Sequence, residues 1–585
     1  MRVAVIDKDL CKPEKCSFQC VKVCPINRAG EKCCFVEDKA KINEDLCVGC
    51  GLCVKKCPFY AINVVNTPEQ IKETPVHRFE NNGFVLFRLP FPIFGKITGI
   101  LGSNGTGKST ALKILSGELK PNFGNVKNID LIKLFRGTEI QDYLEKLLNE
   151  KIKAVRKPQN IDNFSKNDIL VKDLLKKADE KNKYEKIVNE FEFKEILEKK
   201  LNELSGGELQ QVIIAAALLR SANVYYFDEP TSYLDIYQRL KVAKIIRKLA
   251  SELTDEKNNP AVLVVDHDLA FLDIVADIVH ISYGVPGAYG IFSKPYGIKV
   301  GINNFIDGYL KEDNLRIRKE KIDFKVIKSV EKKKEEVYLE WSDLEKKYPN
   351  FTLNIESGKI YKGEVIGVIG KNALGKTTFA KIIAGVEKQD NGQISKTMKI
   401  SYKPQYITIN ENIEVSKVLS TVANINSESW KIEIERPLEL TKLLEKNINE
   451  LSGGELQRVA IALCLSRNAD IYLLDEPSAF LDIEQRISIA KLLRKISETK
   501  ECSMIVIDHD LLFLSYLADS CILFQGKSGV FGNAKILTVE DAYNKFLSEI
   551  GITFRKDEET GRPRANKLDS QKDREQKEKG IYFYI

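Results

Sequence analysis

Short apolar runs recur in the same order in both halves of the chain, and the first pair ends in glycine-rich loops. Ile97–Gly102 and Val365–Gly370 each lead into such a loop, and helical patterns follow at 110–115 and 378–383. An apolar run of this length bounded by glycine is typical of a buried strand. Each half is therefore predicted to contain a strand, a loop and a helix in that order.

A second pair of apolar runs ends in two adjacent carboxylates, Asp228 with Glu229 and Asp475 with Glu476. Because side chains alternate along a strand, the two carboxylates at its end face different sides. The aspartates are predicted to face a Mg²⁺ ion, and the glutamates to act as general bases on a water molecule that attacks a phosphate.

A third pair of apolar runs, 262–265 and 504–507, is followed each time by Asp-His-Asp. A single histidine in an apolar run is most often a satisfied core residue, and that interpretation is kept for His280. The matched histidines His267 and His509 are interpreted as sensors of the γ-phosphate.

The glycine loops follow the pattern Gly-x4-Gly-Lys-Ser/Thr at 102–109 and again at 370–377. In such a loop, backbone N–H groups and a helix N-terminus hold phosphates, the lysine meets the β- and γ-oxygens, and the hydroxyl holds Mg²⁺. The predicted nucleotide-binding residues are Asn104, Gly105, Thr106, Gly107, Lys108, Ser109 and Thr110 in the first half and Asn372, Ala373, Leu374, Gly375, Lys376, Thr377 and Thr378 in the second.

Composition sets limits on the class of protein. A chain of 585 residues is expected to form roughly three to five compact domains. No apolar stretch reaches the roughly 18 residues of a membrane span, and the acidic N-terminus is unlike a signal peptide, so a cytoplasmic location is expected. The net charge of +7 is too modest to establish a nucleic-acid partner without local patches.

Ten of the thirteen cysteines lie in the first 57 residues. Such a density in a cytosolic chain favours metal over disulfides. The run Cys47-x2-Cys50-x2-Cys53-x3-Cys57-Pro has the spacing of bacterial ferredoxins, in which the fourth cysteine binds the neighbouring cluster. The three later cysteines, Cys464, Cys502 and Cys521, are interpreted as buried core thiols.

A second group of cysteines, ending in the same Cys-Pro, supplies the neighbouring cluster. One [4Fe-4S] cluster is assigned to Cys24, Cys47, Cys50 and Cys53, and the other to Cys11, Cys16, Cys20 and Cys57. Cys33 and Cys34 are left over as non-ligands. Two four-cysteine zinc sites are the alternative, but they rarely use a three-step run that closes in Cys-Pro. No flavin or nicotinamide motif is present, so a structural or mechanical role is favoured over electron transfer.

The motif Leu-Ser-Gly-Gly-Glu also occurs twice, at 204–208 and 451–455. With the loops, carboxylates and histidines in this order, both halves resemble ABC-type ATPases, whose signature usually ends in Gln rather than Glu. The resemblance implies a head-to-tail pair of domains, in which the ATP on Lys108 is capped by the second signature and the ATP on Lys376 by the first. The signature residues are Ser205, Gly206, Gly207, Ser452, Gly453 and Gly454.

The same resemblance implies roles for two further pairs of residues. Gln159 and Gln405 are the Q-loop glutamines, expected to bind Mg²⁺ beside the catalytic groups, and the D-loop aspartates Asp235 and Asp482 join the catalytic set. Adenine is expected to stack on an aromatic ring upstream of each loop. The candidates are Phe79 or Phe84, and Tyr348 or Phe351.

The two halves differ in one spacing. Lys108 precedes Gln159 by 51 residues, but Lys376 precedes Gln405 by only 29. The extra residues predict a small helical insertion at about 130–157, with apolar positions at helical intervals. It is either a solvated helix pair or a basic surface that meets a phosphate backbone. Its basic residues are Lys133, Arg136, Lys146, Lys151, Lys153, Arg156 and Lys157.

The expected fold is α/β: two ABC-type nucleotide-binding domains, arranged head to tail, and an α+β ferredoxin-like domain at the N-terminus. The expected boundaries are 1–70 for the ferredoxin-like domain, 71–285 and 331–530 for the nucleotide-binding domains, 286–330 for a hinge and 531–585 for a C-terminal hinge segment. Both hinge segments are rich in aromatic residues, so they are expected to be ordered and to pack against the domains.

This combination of parts resembles the E subfamily of ABC proteins over the whole chain. The resemblance implies a monomer with two ATP, two Mg²⁺ and two [4Fe-4S] clusters, which splits ribosomes by ATP-driven closure. Its implied partners are the small ribosomal subunit, with its rRNA and proteins, and a release or rescue factor. A redox-linked ATPase acting on a protein partner is the alternative, and a transporter subunit with membrane partners is disfavoured.

Overall fold

The computed structural model describes residues 2–584 except 7–9, 44–45, 67–74, 80–82, 124–139, 150, 252–258, 319, 323–335, 396–397 and 406–411. The chain divides into two compact units. The first contains Met1–Thr231, Lys244–His267 and Val275–Lys321, and the second contains Ser232–Ala243, Asp268–Ile274 and Ile322–Ile585. Two short segments that precede the middle of the sequence thus belong to the second unit.

The main sheet of the first unit has nine strands among the described residues. In spatial order they are His77–Arg78, Val85–Phe87, Tyr289–Phe292, Ile278–Val285, Ile97–Gly102, Ala261–Val265, Val224–Asp228 and Ala154–Lys157, with Tyr296–Gly297 also paired to Ile278–Val285. The last five strands of this order pair in parallel. The predicted apolar strands Ile97–Gly102 and Val224–Asp228 are buried along their whole length, as parallel strands covered on both faces must be.

Helices surround this sheet, and the one predicted after the glycine loop is confirmed at Lys108–Leu115. The others of this half are Gln141–Leu148, Asp162–Ser165, Val171–Ala178, Tyr184–Phe191, Gly206–Leu219, Ile236–Ser251, Leu269–Val275 and Ile298–Asp307, with 3₁₀ turns at Phe193–Glu195 and Leu201–Glu203.

The second unit repeats this architecture with an eight-stranded sheet in the described part of the chain. In spatial order its strands are Leu344–Tyr348, Phe351–Ile355, Phe531–Thr538, Ser520–Lys527, Val365–Gly370, Ser503–Ile507, Ile471–Asp475 and Ile400–Lys403. Its helices are Lys376–Ile383, Val415–Ser420, Glu428–Trp430, Gly453–Leu465, Ile483–Lys500, Leu511–Leu517, Val539–Ile550 and Gln571–Glu578, with a π turn at Lys431–Glu435 and a 3₁₀ turn at Ile448–Glu450. The duplication predicted from the motifs is therefore a duplication of the fold.

Where it is described, the cysteine-rich N-terminus contains four short helices and two pairs of strands. The helices are Pro13–Cys16, Gln19–Val23, Pro25–Arg28 and Leu52–Lys56; the antiparallel pairs are Arg2–Ile6 with Ile62–Asn66 and Cys34–Val36 with Ala40–Ile42. Its described apolar core is built largely of cysteines and a few aliphatic side chains. A core this small supplies little stability without a metal or a cross-link.

The segments predicted as hinges are ordered where they are described. In the first, Tyr309–Leu310 pairs with Leu315–Arg316, and in the second, Phe554–Lys556 lies between Pro563–Ala565 and Phe583–Tyr584. In the second nucleotide-binding half, Val337–Trp341 pairs with Gly358–Tyr361. Tyr296, Ile302 and Phe305 are buried, as expected. At the C-terminus Phe583 is buried, but Tyr584 is 63% exposed, so the aromatic side chains at this end of the chain are only partly buried.

The predicted insertion contributes the helix Gln141–Leu148, which buries Tyr143 and Leu144 in the core of the first sheet. Lys133 and Arg136 lie outside the described residues. The interpretation of Arg156 and Lys157 as surface cations is wrong, because both belong to the strand Ala154–Lys157 and Lys157 is only 1% exposed. Across the described ranges, no helix has the length and apolarity needed to cross a membrane.

Candidate functional site

The two glycine loops have the same geometry. Each loop turns into its helix at a glycine with a left-handed backbone, φ +87° at Gly107 and +94° at Gly375. A Cβ atom at Gly107 would lie 2.7 Å from the Phe84 ring, and one at Gly375 would lie 2.9 Å from Leu353. Both the positive φ and the close contacts require glycine here. The loop backbone can therefore approach a phosphate closely.

The loop lysines are buried and already oriented. Lys108 Nζ donates to the carbonyls of Gly102 and Ser103 at 2.9 and 2.7 Å. Lys376 Nζ donates to the carbonyls of Gly370 and Lys371 at 2.8 and 2.7 Å. Each ammonium lies inside its loop, where it can meet the β- and γ-oxygens of a nucleotide.

Beside each loop, a hydroxyl and a buried carboxylate form a site suited to Mg²⁺. Ser109 Oγ donates to Asp228 at 3.5 Å, and Thr377 Oγ1 donates to Asp475 at 3.0 Å. Burial, followed by the charge of the adjacent glutamate, raises the pKa of each aspartate to about 6. Asp228 Oδ2 accepts no hydrogen bond within the described residues, although Arg156 Nη1 lies 3.7 Å away. In each half, the surroundings of the buried aspartate disfavour its negative charge, so a bound cation would stabilise it. A carboxylate of this kind beside a hydroxyl oxygen is suited to a hard cation.

The glutamates that follow these aspartates have an unusual backbone conformation, which hydrogen bonds help to fix. Glu229 and Glu476 have left-handed backbones, with φ of +46° and +49°. Their N–H groups donate to Val265 O and Ile507 O at 2.8 Å in both halves. Residues other than glycine pay for this conformation, and it persists only where surrounding contacts enforce it.

Two polar side chains, a glutamine and a histidine, meet around each glutamate carboxylate. Gln159 Nε2 donates to Glu229 at 2.8 Å, and Gln405 Nε2 donates to Glu476 at 2.7 Å. The predicted γ-phosphate sensors His267 and His509 place Nε2 at 3.7 and 3.5 Å from the same carboxylates. The structure thus brings together, in each half, the glycine loop, the Q-loop glutamine, the sensor histidine and the paired aspartate and glutamate, which form the Walker B motif.

The charge of Glu476 is strongly favoured despite its burial. Burial raises its pKa, but hydrogen bonding and charge from His509, a hydrogen bond from Gln405 and the charge of Lys376 outweigh that effect and lower the pKa to about 2. A carboxylate that stays ionised at neutral pH can accept a proton from water in a reaction.

The D-loop of the first half reaches the glycine loop of the second. Asp235 Oδ2 accepts a hydrogen bond of 2.7 Å from Asn372 N, a contact that lies within the second unit. In the same unit, Tyr233 packs edge to face against Phe480, with ring centroids 6.0 Å apart. Asp482, the equivalent of Asp235, caps the helix that follows it by accepting from Gln485 N at 2.9 Å.

The signature serines cap the long helices Gly206–Leu219 and Gly453–Leu465. Ser205 and Glu208 exchange hydrogen bonds reciprocally, as do Ser452 and Glu455. This capping box explains why glutamate suits the fifth position of both signatures. The predicted capping of each ATP by the signature of the other half stays a prediction.

Two buried lysines lie beside the site, Lys157, which the sequence analysis interprets as a surface cation, and Lys403, which it does not single out. Lys157 Nζ donates to the carbonyls of Asp228 and Glu229 at 2.9 and 3.2 Å. Lys403 does the same to Asp475 and Glu476 at 2.7 and 3.3 Å. A signal was present, because Lys-Pro-Gln precedes the Q-loop in both halves. One residue earlier the halves differ, with Arg156 in the first and Tyr402 in the second.

Each glycine loop has one packed and one exposed aromatic ring nearby. Phe84 lies under Gly107, and a Cβ atom at Gly375 would lie 3.3 Å from the Phe351 ring. Phe79 and Tyr348 are 42% and 38% exposed, with ring centroids 6.5 and 6.4 Å from those packed rings. The stacking residue for adenine stays open between the two candidates of each pair.

The cysteine-rich module encloses a cavity. Its wall includes the thiols of one predicted ligand set, and the cavity is lined by Cys24, Cys33, Cys34, Cys47, Cys50 and Cys53 among others. In the other set, burial and the charges of Cys20 and Cys57 raise the pKa of the Cys11 thiol. Cys16 donates to Pro13 O at 3.6 Å.

The thiols around this cavity fit an iron-sulfur cluster, because a polynuclear cluster needs thiolates spread around a space that its iron and sulfide atoms fill. All four thiols of one predicted ligand set line that space. The two leftover cysteines line the same cavity. A hydrogen bond from one of them, Cys34, lowers the pKa of Cys20, a thiol of the other set, to about 7.

The remaining sequence predictions concern core residues. His280 is a core residue as predicted, only 1% exposed, and its Nδ1 lies 2.8 Å from Ser293 O, but its Nε2 has no hydrogen-bond partner among the described residues, so the side chain is only partly satisfied. Cys464, Cys502 and Cys521 are all buried.

Comparison with known families agrees with this geometry. The ABC transporter family matches residues 94–232 and 353–479. A possible Fer4-like domain in RNase L inhibitor, RLI, matches residues 1–32, and the 4Fe-4S binding domain matches residues 40–63. The chain therefore has two nucleotide-binding ATPase domains and an iron-sulfur domain.

Similar proteins cover the full length of the chain. An uncharacterized ABC transporter ATP-binding protein of Methanocaldococcus jannaschii is 50% identical, over 100% of this chain and 98% of that protein. ABC transporter E family member 1 of Arabidopsis thaliana is 39% identical, over 100% of this chain and 99% of that protein.

Two solved structures are also similar over most of the chain. One is described as a model of ribosome-bound archaeal Pelota and ABCE1; the matching chain has a TM-score of 0.93 at 49% identity, with 100% and 99% of the two chains covered. The other is the complex of archaeal ribosomal stalk protein aP1 and archaeal ribosome recycling factor aABCE1, with a TM-score of 0.83 at 49% identity, covering 88% of this chain and 100% of that one.

Proposed function

This chain belongs to the E subfamily of ABC-type ATPases, and on that premise we propose that it is an ATP-driven ribosome recycling factor. It binds the small ribosomal subunit and, with a release or rescue factor, splits ribosomes into subunits. Two similar structures support this proposal, since one is of a ribosome-bound protein beside Pelota and the other is of a named ribosome recycling factor. Action on ribosomes also implies a cytoplasmic location.

The observation that carries the mechanism is the contact of Asp235 with Asn372. It joins the D-loop of one half to the glycine loop of the other at 2.7 Å, so a nucleotide in the second loop would lie beside residues of both halves. ATP binding can then favour a closed pair, because only closure completes each site. Hydrolysis removes the γ-phosphate and reopens the pair.

Each site is proposed to hold one ATP and one Mg²⁺. Ser109, Gln159 and Asp228 would hold the ion in the first half, and Thr377, Gln405 and Asp475 in the second. The bound ion supplies charge neutralisation for the phosphates. Glu229 and Glu476 orient water and accept its proton, while His267 and His509 face the γ-phosphate.

The cysteines are proposed to hold two [4Fe-4S] clusters in the two ligand sets assigned above. The clusters supply rigidity, because a module of this size has too small an apolar core to transmit force by itself. The stiff module would press on the ribosome-bound factor when the ATPase halves close.

A sucrose-gradient assay tests the proposal. Anaerobically purified protein is mixed with ribosomes and a release factor, together with ATP, a non-hydrolysable analogue or no nucleotide. We expect nucleotide-dependent conversion of ribosomes to subunits, with the protein retained on the small subunit. Intact ribosomes without bound protein, despite full cluster content and active ATP hydrolysis, would overturn the proposal and favour a redox-linked ATPase.

A further inference from the structure

A buried lysine lies behind the catalytic glutamate in both halves. Lys157 and Lys403 end the strands Ala154–Lys157 and Ile400–Lys403, and their side chains are 1% and 2% exposed. Each ammonium donates to two successive carbonyls, those of the Walker B aspartate and glutamate, at 2.7–3.3 Å. The same arrangement at two sites in one chain is unlike an incidental contact.

The peptide that these lysines hold is the strained one. Glu229 and Glu476 have φ of +46° and +49°, a region that residues other than glycine rarely occupy. Such a backbone costs about 1–3 kcal/mol and needs surrounding contacts to enforce it. The lysine supplies a charged donor to the carbonyl oxygen of the strained residue itself.

A glutamine from the signature helix binds the same carbonyl. Gln210 Nε2 donates to Glu229 O and Pro230 O, both at 3.0 Å. Gln457 Nε2 likewise donates to Glu476 O. The carbonyl of each glutamate therefore accepts hydrogen bonds from two side chains. One is the buried lysine, two positions before the Q-loop glutamine, and the other is a glutamine of the helix that the signature serine caps.

We propose that Lys157 and Lys403 are positioning residues for ATP hydrolysis. They fix the left-handed turn at Glu229 and Glu476, so that each carboxylate meets its Q-loop glutamine and faces the attacking water. The ammonium groups do not touch ATP; they act through the glutamate backbone. This inference rests on the proposed roles of Glu229 and Glu476 as general bases.

The chain offers a matched control. Lys181 is also a partly buried lysine; its Nζ donates to Leu218 O at 3.0 Å and to the Tyr225 hydroxyl. Tyr225 lies near the start of the strand Val224–Asp228, at the opposite end from the carboxylates. Lys181→Met therefore removes a lysine that donates to the opposite end of the same strand, without altering the glutamate peptide.

The test compares steady-state ATP hydrolysis by full-length, cluster-loaded Lys157→Met, Lys403→Met, the double variant and Lys181→Met. Loss of a charged hydrogen bond from the turn should lower kcat of the double variant about 10- to 100-fold, while KM and nucleotide affinity stay near those of the wild type. ATP should remain bound for longer, because binding is intact and hydrolysis is slow. Lys181→Met should match the wild type.

A merely structural role would give a different pattern. It would lower the thermal unfolding temperature and weaken nucleotide binding together with kcat, and that result would overturn the proposal. If the methionine variants fail to fold, Lys157→Gln and Lys403→Gln repeat the test, since glutamine keeps a donor but is too short to reach both carbonyls.

Glutamate variants separate this inference from the proposed function. If Glu229→Gln and Glu476→Gln abolish turnover while folded lysine variants keep the wild-type kcat, the positioning role alone fails. If turnover survives in the glutamate variants too, the catalytic assignment of both glutamates fails as well.

Discussion

At the scale of single residues, the two glutamates carry the chemistry. Glu229→Gln and Glu476→Gln keep the shape of the side chain but remove its ability to take a proton. Each change is expected to lower ATP hydrolysis at its own site by about a hundredfold or more. Measurement of phosphate release and of retained ATP should show a nucleotide-bound, closed state.

Glu180→Gln is a suitable control for these variants, because Glu180 pairs with Lys153 on the surface of the same half. It should hydrolyse ATP at the wild-type rate. Unchanged turnover in both Glu229→Gln and Glu476→Gln would remove these residues from the catalytic role.

His280 makes the first sheet sensitive to acid. Burial lowers its pKa from about 6.5 to about 4, so the folded state holds the imidazole neutral. The unfolded chain takes up a proton below pH 6.5, and stability that is present above that pH is lost as the pH falls toward 4. Between pH 6.5 and pH 5 the loss should be about 2 kcal/mol.

The measurement is denaturant unfolding of the wild type and of His280→Leu at several pH values from 7.5 to 5. The variant should start less stable but lose less stability over this range, because it has no imidazole to protonate. Parallel pH profiles of the two proteins would contradict the prediction.

At the scale of elements, the C-terminal segment is joined to the helix Leu269–Val275 by a buried ion pair. Arg562 and Asp273 are both fully buried, and Arg562 Nη1 lies 2.6 Å from Asp273 Oδ2. Removal of Asp273 leaves the Arg562 charge buried without compensation, and removal of Arg562 leaves Asp273 with only the more exposed Arg564, whose Nε lies 3.3 Å from Asp273 Oδ1. Arg562→Met or Asp273→Leu should therefore destabilise the second unit by about 3–5 kcal/mol.

The double variant Arg562→Met/Asp273→Leu provides the check. It leaves neither buried charge unpaired, so thermal unfolding should show much of the lost stability restored. Additive losses in the double variant would show that the two side chains act independently.

Sequence patterns predict elements well where local signals suffice. The strands before Gly102 and Asp228 were predicted because each is a short apolar run ended by a motif, and the structure confirms both. Lys157 was misassigned because charge in a sequence does not reveal which way a strand residue points. The contact of Asp235 with Asn372 joins residues 137 apart in the chain, so no local pattern contains it.

At the scale of the whole molecule, the cysteine module and the ATPase halves should be separable in function. Cys24→Ser removes a thiol from the cavity wall and should abolish the visible absorption of one cluster. ATP hydrolysis should continue, because the nucleotide residues described above belong to other elements. Ribosome splitting, measured in the gradient assay, should be lost.

Cys502→Ala, which alters a buried thiol of the second sheet, is the control for this change. It should retain full cluster absorption and full splitting. If Cys24→Ser splits ribosomes as well as the wild type does, the iron-sulfur module has no mechanical role.

The ion pair of Arg562 with Asp273 also constrains how the protein is made. The two residues are 289 positions apart in the chain. At a synthesis rate of 5–20 residues per second, Asp273 is added to the chain about 15–60 s before Arg562. The second unit thus remains incomplete until translation is nearly finished, and a truncated nascent chain exposes an uncompensated acidic residue to cellular quality control.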